Sequence, residues 1–480
     1  MEYVATIGME VHAQILTQTK MFCGCPNELT SAAPNTHTCP VCLGMPGVLP
    51  VINRVAVEAT VLTGMALNCT IPSFSKFDRK NYHYPDLPKG YQISQYDLPL
   101  CTSGHLDVTV EGDARRIGIR RVHLEEDTAR LVHQGGVSLV DFNRSGVPLM
   151  EIVTEADLHS AEDAYAYLSK LRQILRYLGV STGNMEDGAM RCEANISVRP
   201  EGAEVLGTKV EVKNLNSFRS VRMAIAYEIE RQIAVLEQGG RVQQVTMGWD
   251  ETNHRTLFQR SKEGAEDYRY FPEPDLPPIE VDEEWRAGIR CRLPELPDEK
   301  EERFTQSYGI READAALLTQ DLQVANYFEA ACAACEGPTS PQTVANWVLG
   351  DLYRLLGASG SDIQACPVRP EGLASLLALV ESGKINGTTA KDVLNEMFAS
   401  GRSAEEIVKN KGLAQISDED TLTEIVLSVL DQNPGPAQQY REGKLQVLGF
   451  LVGQVMRQTR GQANAQAVAE IIKTELARQS

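Results

Sequence analysis

The proline-dense run FPEPDLPPIEVDEEW, residues 271–285, followed by RLPELPDEK, residues 292–300, divides the chain into two halves of different character. Proline fixes φ and lacks an N–H, so this stretch resists helix and sheet alike and reads as a linker. Before it, up to about residue 293, most segments are short, alternate at period two and break at Gly, Pro or Asn, the pattern of a sheet-rich domain. Three helical segments interrupt them: 52–68, 160–179 and 218–240, each with apolar residues returning at three or four. After the linker almost every segment is helical, among them EERFTQSYG, DAALLTQDLQVANYFEAACAA and EGLASLLALVESG. The expectation is an α+β first domain over 1–293, an all-α domain over 294–401 and a small helical tail domain over 402–480, split by DQNPGPAQQY. No internal repeat or low-complexity segment is found.

CGCPNELTSAAPNTHTCPVC, residues 23–42, sets Cys23 and Cys25 one residue apart and Cys39 and Cys42 two apart. A 480-residue chain with 42% hydrophobic residues builds cores without covalent staples. The N-terminal MEYVATIGMEVHAQIL lacks the basic start and continuous apolar core of a secretory signal, and no apolar run is long enough to span a bilayer, so the chain reads as cytoplasmic with no membrane partner. In a reducing compartment, paired cysteines at this spacing suit tetrahedral zinc better than disulfides. The alternative is a hairpin of free thiols, since seven further cysteines are scattered through the chain. Cys332 and Cys335 also form a C-x2-C but sit in a helical segment, and read as helix packing.

At period two, several segments set an apolar face against a face bearing carboxylates. In IGMEVHAQI, Ile7, Met9, Val11 and Ala13 point one way, Glu10 and His12 the other. The latter two are roughly 7 Å apart along the strand. RCEANISVR leaves Arg191, Glu193 and Asn195 together; TKVEVKN leaves Lys209, Glu211 and Lys213. RRVHLEEDTARL and VPLMEIVTE add Glu125, Glu126 and Glu151 with less clean alternation. One polar strand face is ordinary in an antiparallel sheet. Four or five carboxylates on one sheet, with an imidazole, would suit Mg²⁺ and the phosphates it bridges.

No glycine-rich phosphate loop of the common kinds occurs, so any ATP would be held by the sheet. FDRKNYHYPDLPKGYQISQYDLP places Arg79, Lys80 and Lys89 among tyrosines, and SKEGAEDYRYFPEPDLPP does the same with Lys262 and Arg269; each is a phosphate or base grip, or equally a tyrosine-packed surface loop. In the tail, Leu445, Leu448, Val452, Val455 and Met456 make an apolar stripe that reads as core, with Lys444, Arg457 and Arg460 at its ends, where a nucleic acid backbone could be touched. Net charge is -19, which opposes a general polyanion-binding surface. Residues 402–480 carry nine basic against ten acidic side chains, so the excess lies almost wholly before them.

Taken together, IGMEVHAQI, the clasp ending in CPVCLGMPGVLPVIN, FDRKNYHYPDLPKGYQISQYDLPL, HLEEDTARL, SLVDFNRSGVPLMEIV, MRCEANISVRP, KVEVKNLNSFRSV, DYRYFPEPDLPP and GKLQVLGFLVGQVMRQTRGQAN resemble the family of B subunits of glutamine-dependent aspartyl/glutamyl-tRNA amidotransferases. The resemblance runs from residue 3 to about 478. HRTLFQRSKEG (254–264) and Ala465 depart from the family pattern, away from the expected chemistry.

The resemblance implies a glutamine-synthetase-like cradle in the first domain and a reaction. Such enzymes take tRNA mischarged with Glu or Asp, activate the side-chain carboxylate with ATP as an acyl phosphate, and replace phosphate by ammonia to give Gln-tRNA(Gln) or Asn-tRNA(Asn). By motif, Glu10, His12, Glu125 and Glu211 become the expected Mg²⁺ ligands. Glu151 joins them in catalysis. Arg79, Lys80, Lys89, Arg191, Glu193 and Lys213 become the ATP- and substrate-binding set. Cys23, Cys25, Cys39 and Cys42 match the family's structural Zn²⁺ clasp, and the helical and tail domains would hold tRNA. The sequence has no amidase-type Ser-Ser-Lys pattern, so ammonia must come from a partner. The resemblance implies two partners in a heterotrimer, an amidase-like glutaminase (the A subunit) and a small C subunit, with the mischarging synthetase a further candidate. The rival readings are a non-catalytic tRNA-binding scaffold and a free-standing ligase acting on a small amino acid.

Overall fold

In the strand Tyr3–Gln14, alternate side chains from Ile7 to Ala13 are at most 1% exposed, while Glu10 and His12 between them face the other way. The computed structural model describes residues 2–29, 31–261, 268–413, 419–459 and 462–478. The chain divides into two units, Met1–Leu296 and Pro297–Ser480.

The first unit is built on an eight-stranded mixed sheet. Its strands are, in chain order, β1 Tyr3–Gln14, β2 Cys101–Val110, β3 Asp113–Glu126, β4 Pro148–Thr154, β5 Met190–Pro200, β6 Val210–Leu215, β7 Val245–Asp250 and β8 Arg255–Ser261. They lie in the order β8-β7-β6-β5-β1-β4-β3-β2, antiparallel except for β6 and β7. A parallel pair needs a crossover, which helix α3 (Phe218–Glu237) supplies. Helices α1 (Arg54–Ala66), α2 (Ala161–Tyr177) and α3 share one apolar cluster with the inward residues of the strands. Each starts on a side chain suited to the free N–H groups of a first turn: Asn53, Ser160 in a reciprocal box with Asp163, and Ser217. With one face of the sheet buried this way, its polar side chains are confined to the other.

A small sheet of Asp78–Asn81, Tyr91–Ser94 and Phe271–Pro272 stands against the end of β3: Gln92 donates to the Glu126 carbonyl at 2.8 Å and the Ile93 N–H to the Glu126 carboxylate at 2.9 Å. This corrects the linker expectation. The proline-dense run is part of the first unit: Phe271–Pro272 and Ile279–Glu280 pair as short strands, Glu283–Arg290 is a helix capped by Asp282, and Leu276, Ile279, Val281 and Ile289 join the core. Prolines are tolerated here because the pairings are two residues long and lie at sheet edges.

The second unit is helical and holds two apolar clusters, one from Phe304 to Val408 and one from Leu422 to Leu476. The segment read as one long helix is two, Glu312–Leu318 and Leu322–Ala334; Asp321 caps the second by accepting from the Gln323 N–H. Cys332 packs on the first cluster. In the tail, the stripe is shifted: Leu445 precedes the helix Val447–Gln458 and is 68% exposed, whereas Leu451 and Val455 are fully buried. Lys262 and Arg460 lie outside the described residues. Among those described, no helix is long and apolar enough to cross a membrane.

Candidate active site

On the polar face, His12 of β1 pairs with Glu151 of β4, which pairs in turn with His123 of β3. His12 Nε2 lies 3.3 Å from Glu151 and 3.6 Å from Glu125; His123 Nε2 lies 3.4 Å from Glu151 and 3.9 Å from Glu125. One step along the sheet, Glu10 pairs with Glu193 of β5 and accepts from Asn195 at 3.2 Å. Lys213 reaches Glu193 at 2.6 Å and Glu211 at 3.8 Å, and the Thr246 hydroxyl donates to Glu211 at 2.8 Å. At the other margin Arg191 pairs with the buried Asp127 at 2.9 Å. These charged groups line one cavity of about 390 Å³, whose further lining includes Lys80, Tyr82, Tyr268 and Tyr270 from the small sheet and its flanks. Lys80 Nζ sits 5.1 Å from the centre of the Tyr268 ring.

Burial and crowding set the charges. Burial would lower the His12 pKa, but its hydrogen bond with Glu151 and the charges of Glu151 and Glu125 override it and raise it to about 9. His123, deeper and beside the cations Arg121 and Lys80, is held neutral by burial, at about 3. Burial first, then the neighbouring carboxylates Glu151 and Glu193, raises Glu10; burial likewise raises Glu125. Glu151 is drawn well below the usual range, the two imidazoles and Lys80 outweighing its burial. Ligand atoms of His12, Glu125 and Glu151 all lie within 4.8 Å of one another. Oxygen donors with one imidazole fit a hard divalent cation such as Mg²⁺.

The four sulfurs of Cys23, Cys25, Cys39 and Cys42 also lie within 4.8 Å of one another, and all eleven cysteines are free. Zinc–sulfur bonds of about 2.3 Å place tetrahedral sulfurs about 3.8 Å apart, so the set fits zinc. A hydrogen bond from Cys23 holds the Cys42 thiol at about 5 and pushes the Cys23 thiol upward.

Against known families, residues 5–287 match the profile described as GatB/GatE catalytic domain, and residues 326–476 the one described as GatB domain. The chain belongs to the GatB family. Similar GatB proteins each carry the name of the B subunit of aspartyl/glutamyl-tRNA(Asn/Gln) amidotransferase. That of Moorella thermoacetica is 54% identical over 99% of this chain and 100% of its own length. Those of Dehalococcoides mccartyi and Carboxydothermus hydrogenoformans are 53% and 51% identical over 99% of both chains. The GatB/GatE match contains the whole cavity and the cysteine clasp.

Not every residue expected from the GatB motifs reaches the cavity. Glu10, His12, Glu125, Glu151, Glu193, Glu211, Lys80, Arg191 and Lys213 line it. Arg79 and Lys89 do not. Arg79 alternates away from Lys80 on its strand and donates twice to the buried Glu273 at 2.7 Å, tying Phe271–Pro272 into the small sheet. Lys89 crosses over Gly44 to pair with Glu126 and lines a separate cavity of about 230 Å³ beside the clasp. Gly44 has φ +65° and no room for a Cβ against Lys89. Conversely, Arg121, His123 and Asp127 were not singled out for the site, while Tyr82, Tyr268 and Tyr270 belong to the two segments read either as a phosphate or base grip or as tyrosine-packed loops. Arg121 and His123 follow from Glu125 by counting back in twos, but the small sheet buries both faces of β3 there and removes the alternation that would have shown it.

Proposed function

We propose that this chain activates the side-chain carboxylate of Glu or Asp carried on a mischarged tRNA, using ATP, and exchanges the resulting phosphate for ammonia to give Gln-tRNA(Gln) or Asn-tRNA(Asn). What supports it is the meeting, in one cavity, of clustered carboxylates with separate cations. His12, Glu125 and Glu151 would hold Mg²⁺, with Glu10 and Glu211 supplying further carboxylate close by. A divalent cation held by these residues would supply positive charge against the terminal phosphate. Lys80, Arg191 and Lys213 balance phosphate and substrate carboxylate charge. His123, held neutral, supports Glu151 from behind.

The clasp would carry a structural Zn²⁺, in keeping with the reducing cytoplasm. Ammonia would arrive from an amidase-like glutaminase held in a heterotrimer with a third, small chain, and the helical unit would hold the tRNA body. The test is ADP formation by the reconstituted heterotrimer given ATP and Glu-tRNA(Gln). Formation that depends on the charged tRNA and is lost in Glu125→Ala and Glu10→Ala supports this reading; formation that survives both substitutions supports the scaffold reading, and turnover of free glutamate without tRNA the small-molecule ligase.

A further inference from the structure

Lys20 lies between β1 and the first cysteine knuckle, and it is 1% exposed. A lysine so deeply buried requires an anion or a full set of acceptors, because taking an ammonium out of water costs several kcal/mol. Its Nζ donates to Cys42 Sγ at 3.7 Å and to the Phe142 carbonyl at 3.2 Å. Among the described residues it makes no ion pair with a carboxylate. Glu126, the acidic neighbour on that side, is paired with Lys89. The negative charge within reach is therefore sulfur. Four thiolates around one divalent cation carry a net charge of about -2, which a buried ammonium partly cancels.

We propose that Lys20 is the built-in counter-ion of the cysteine clasp: it offsets the excess negative charge of the metal-bound sulfurs and raises the affinity of the clasp for its metal. This rests on the zinc reading above. The same side chain ties the clasp to the segment entering β4. Ser145 donates to the Cys42 carbonyl at 3.3 Å, the Met21 N–H to the Gly146 carbonyl at 2.7 Å, and the Gly146 N–H to the Asp127 carbonyl at 2.9 Å. A Cβ added at Gly146, where φ is +84°, would meet Cys42 Cβ at 3.6 Å and Lys20 Cδ at 3.7 Å, so clasp, lysine and segment pack as one body.

The experiment compares the full-length wild type with Lys20→Met, Lys20→Gln and Lys20→Arg. Each is checked for folding by circular dichroism, for zinc content by elemental analysis, for zinc transfer to a chromogenic chelator, and, after exchange, for the visible absorption of Co²⁺. Lys20→Met and Lys20→Gln are expected to bind zinc about 10- to 100-fold more weakly, the range seen when groups behind the ligands are removed. Both should shift the sulfur-to-cobalt charge-transfer band, while Lys20→Arg stays near wild type. Lys20→Gln keeps a hydrogen-bond donor without the charge. If it binds zinc within twofold of wild type, the counter-ion role is overturned, even where Lys20→Met fails to fold. A wild-type chain that holds neither zinc nor Co²⁺ instead removes the clasp reading, and the inference with it.

Discussion

His12 Nε2 lies 3.3 Å from Glu151 Oε2 on the facing strand; against the pull of burial, this contact and the charges of Glu151 and Glu125 raise the imidazole pKa to about 9. In the metal-free protein at neutral pH His12 is thus protonated. A divalent cation bound through that nitrogen must displace the proton. Below pH 9, Mg²⁺ affinity should climb by up to about tenfold per pH unit and then level off. Calorimetry at pH 7.5 in buffers of different ionisation enthalpy should report about one proton released per ion. No proton release would show that His12 is not a ligand.

Glu125 is buried, and burial works against its charged form. Glu125→Gln should therefore stabilise the metal-free chain at pH 7, while ADP formation is lost. Thermal denaturation in the presence of EDTA, set beside the ADP assay, checks both. A variant that loses stability and activity together would point to a structural role.

Arg79→Ala strands the Glu273 carboxylate, whose side chain is 1% exposed. Breaking such a pair costs roughly 3 kcal/mol. We expect the urea midpoint of the first unit to drop by that measure while the KM for ATP, assayed where the variant is folded, moves less than threefold. Lys80→Ala should behave in the opposite way, since Lys80 faces the cavity.

In the tail, Leu451→Ala should cost about 2–5 kcal/mol by opening a hole in the cluster that includes Val426 and Val455. Leu445→Ala, on an exposed side chain, should stay within about 0.5 kcal/mol. Chemical denaturation of the full chain measures both.

Much of this was readable in the order of residues. The apolar face of β1 appears as Ile7, Met9, Val11 and Ala13 because one side of that strand is covered and the other lines a cavity, so burial and period coincide. The same counting found Glu193 and Glu211. It failed where a second layer is added. Over residues 122–127 both faces are covered, and His123 could not be told from core. Arg79 and Lys80 are neighbours of equal charge on one strand, and only the pairing with Phe271–Pro272 decides which of them faces carboxylates in the cavity and which faces Glu273. The proline-dense run misled for a related reason: local stiffness argues against long strands, but the partner that makes two-residue pairings worthwhile is distant in sequence.

That distant pairing also fixes when the cavity is completed during synthesis. The Asn81 N–H donates to the Tyr268 carbonyl at 2.8 Å, and Arg79 pairs with Phe271. At about 5–20 residues per second on the ribosome, roughly ten to forty seconds separate the emergence of these partners. Through that interval the nascent sheet must keep its carboxylate face wet and unroofed, and Tyr268 and Tyr270 join the aromatic wall only near the end of the first unit's translation.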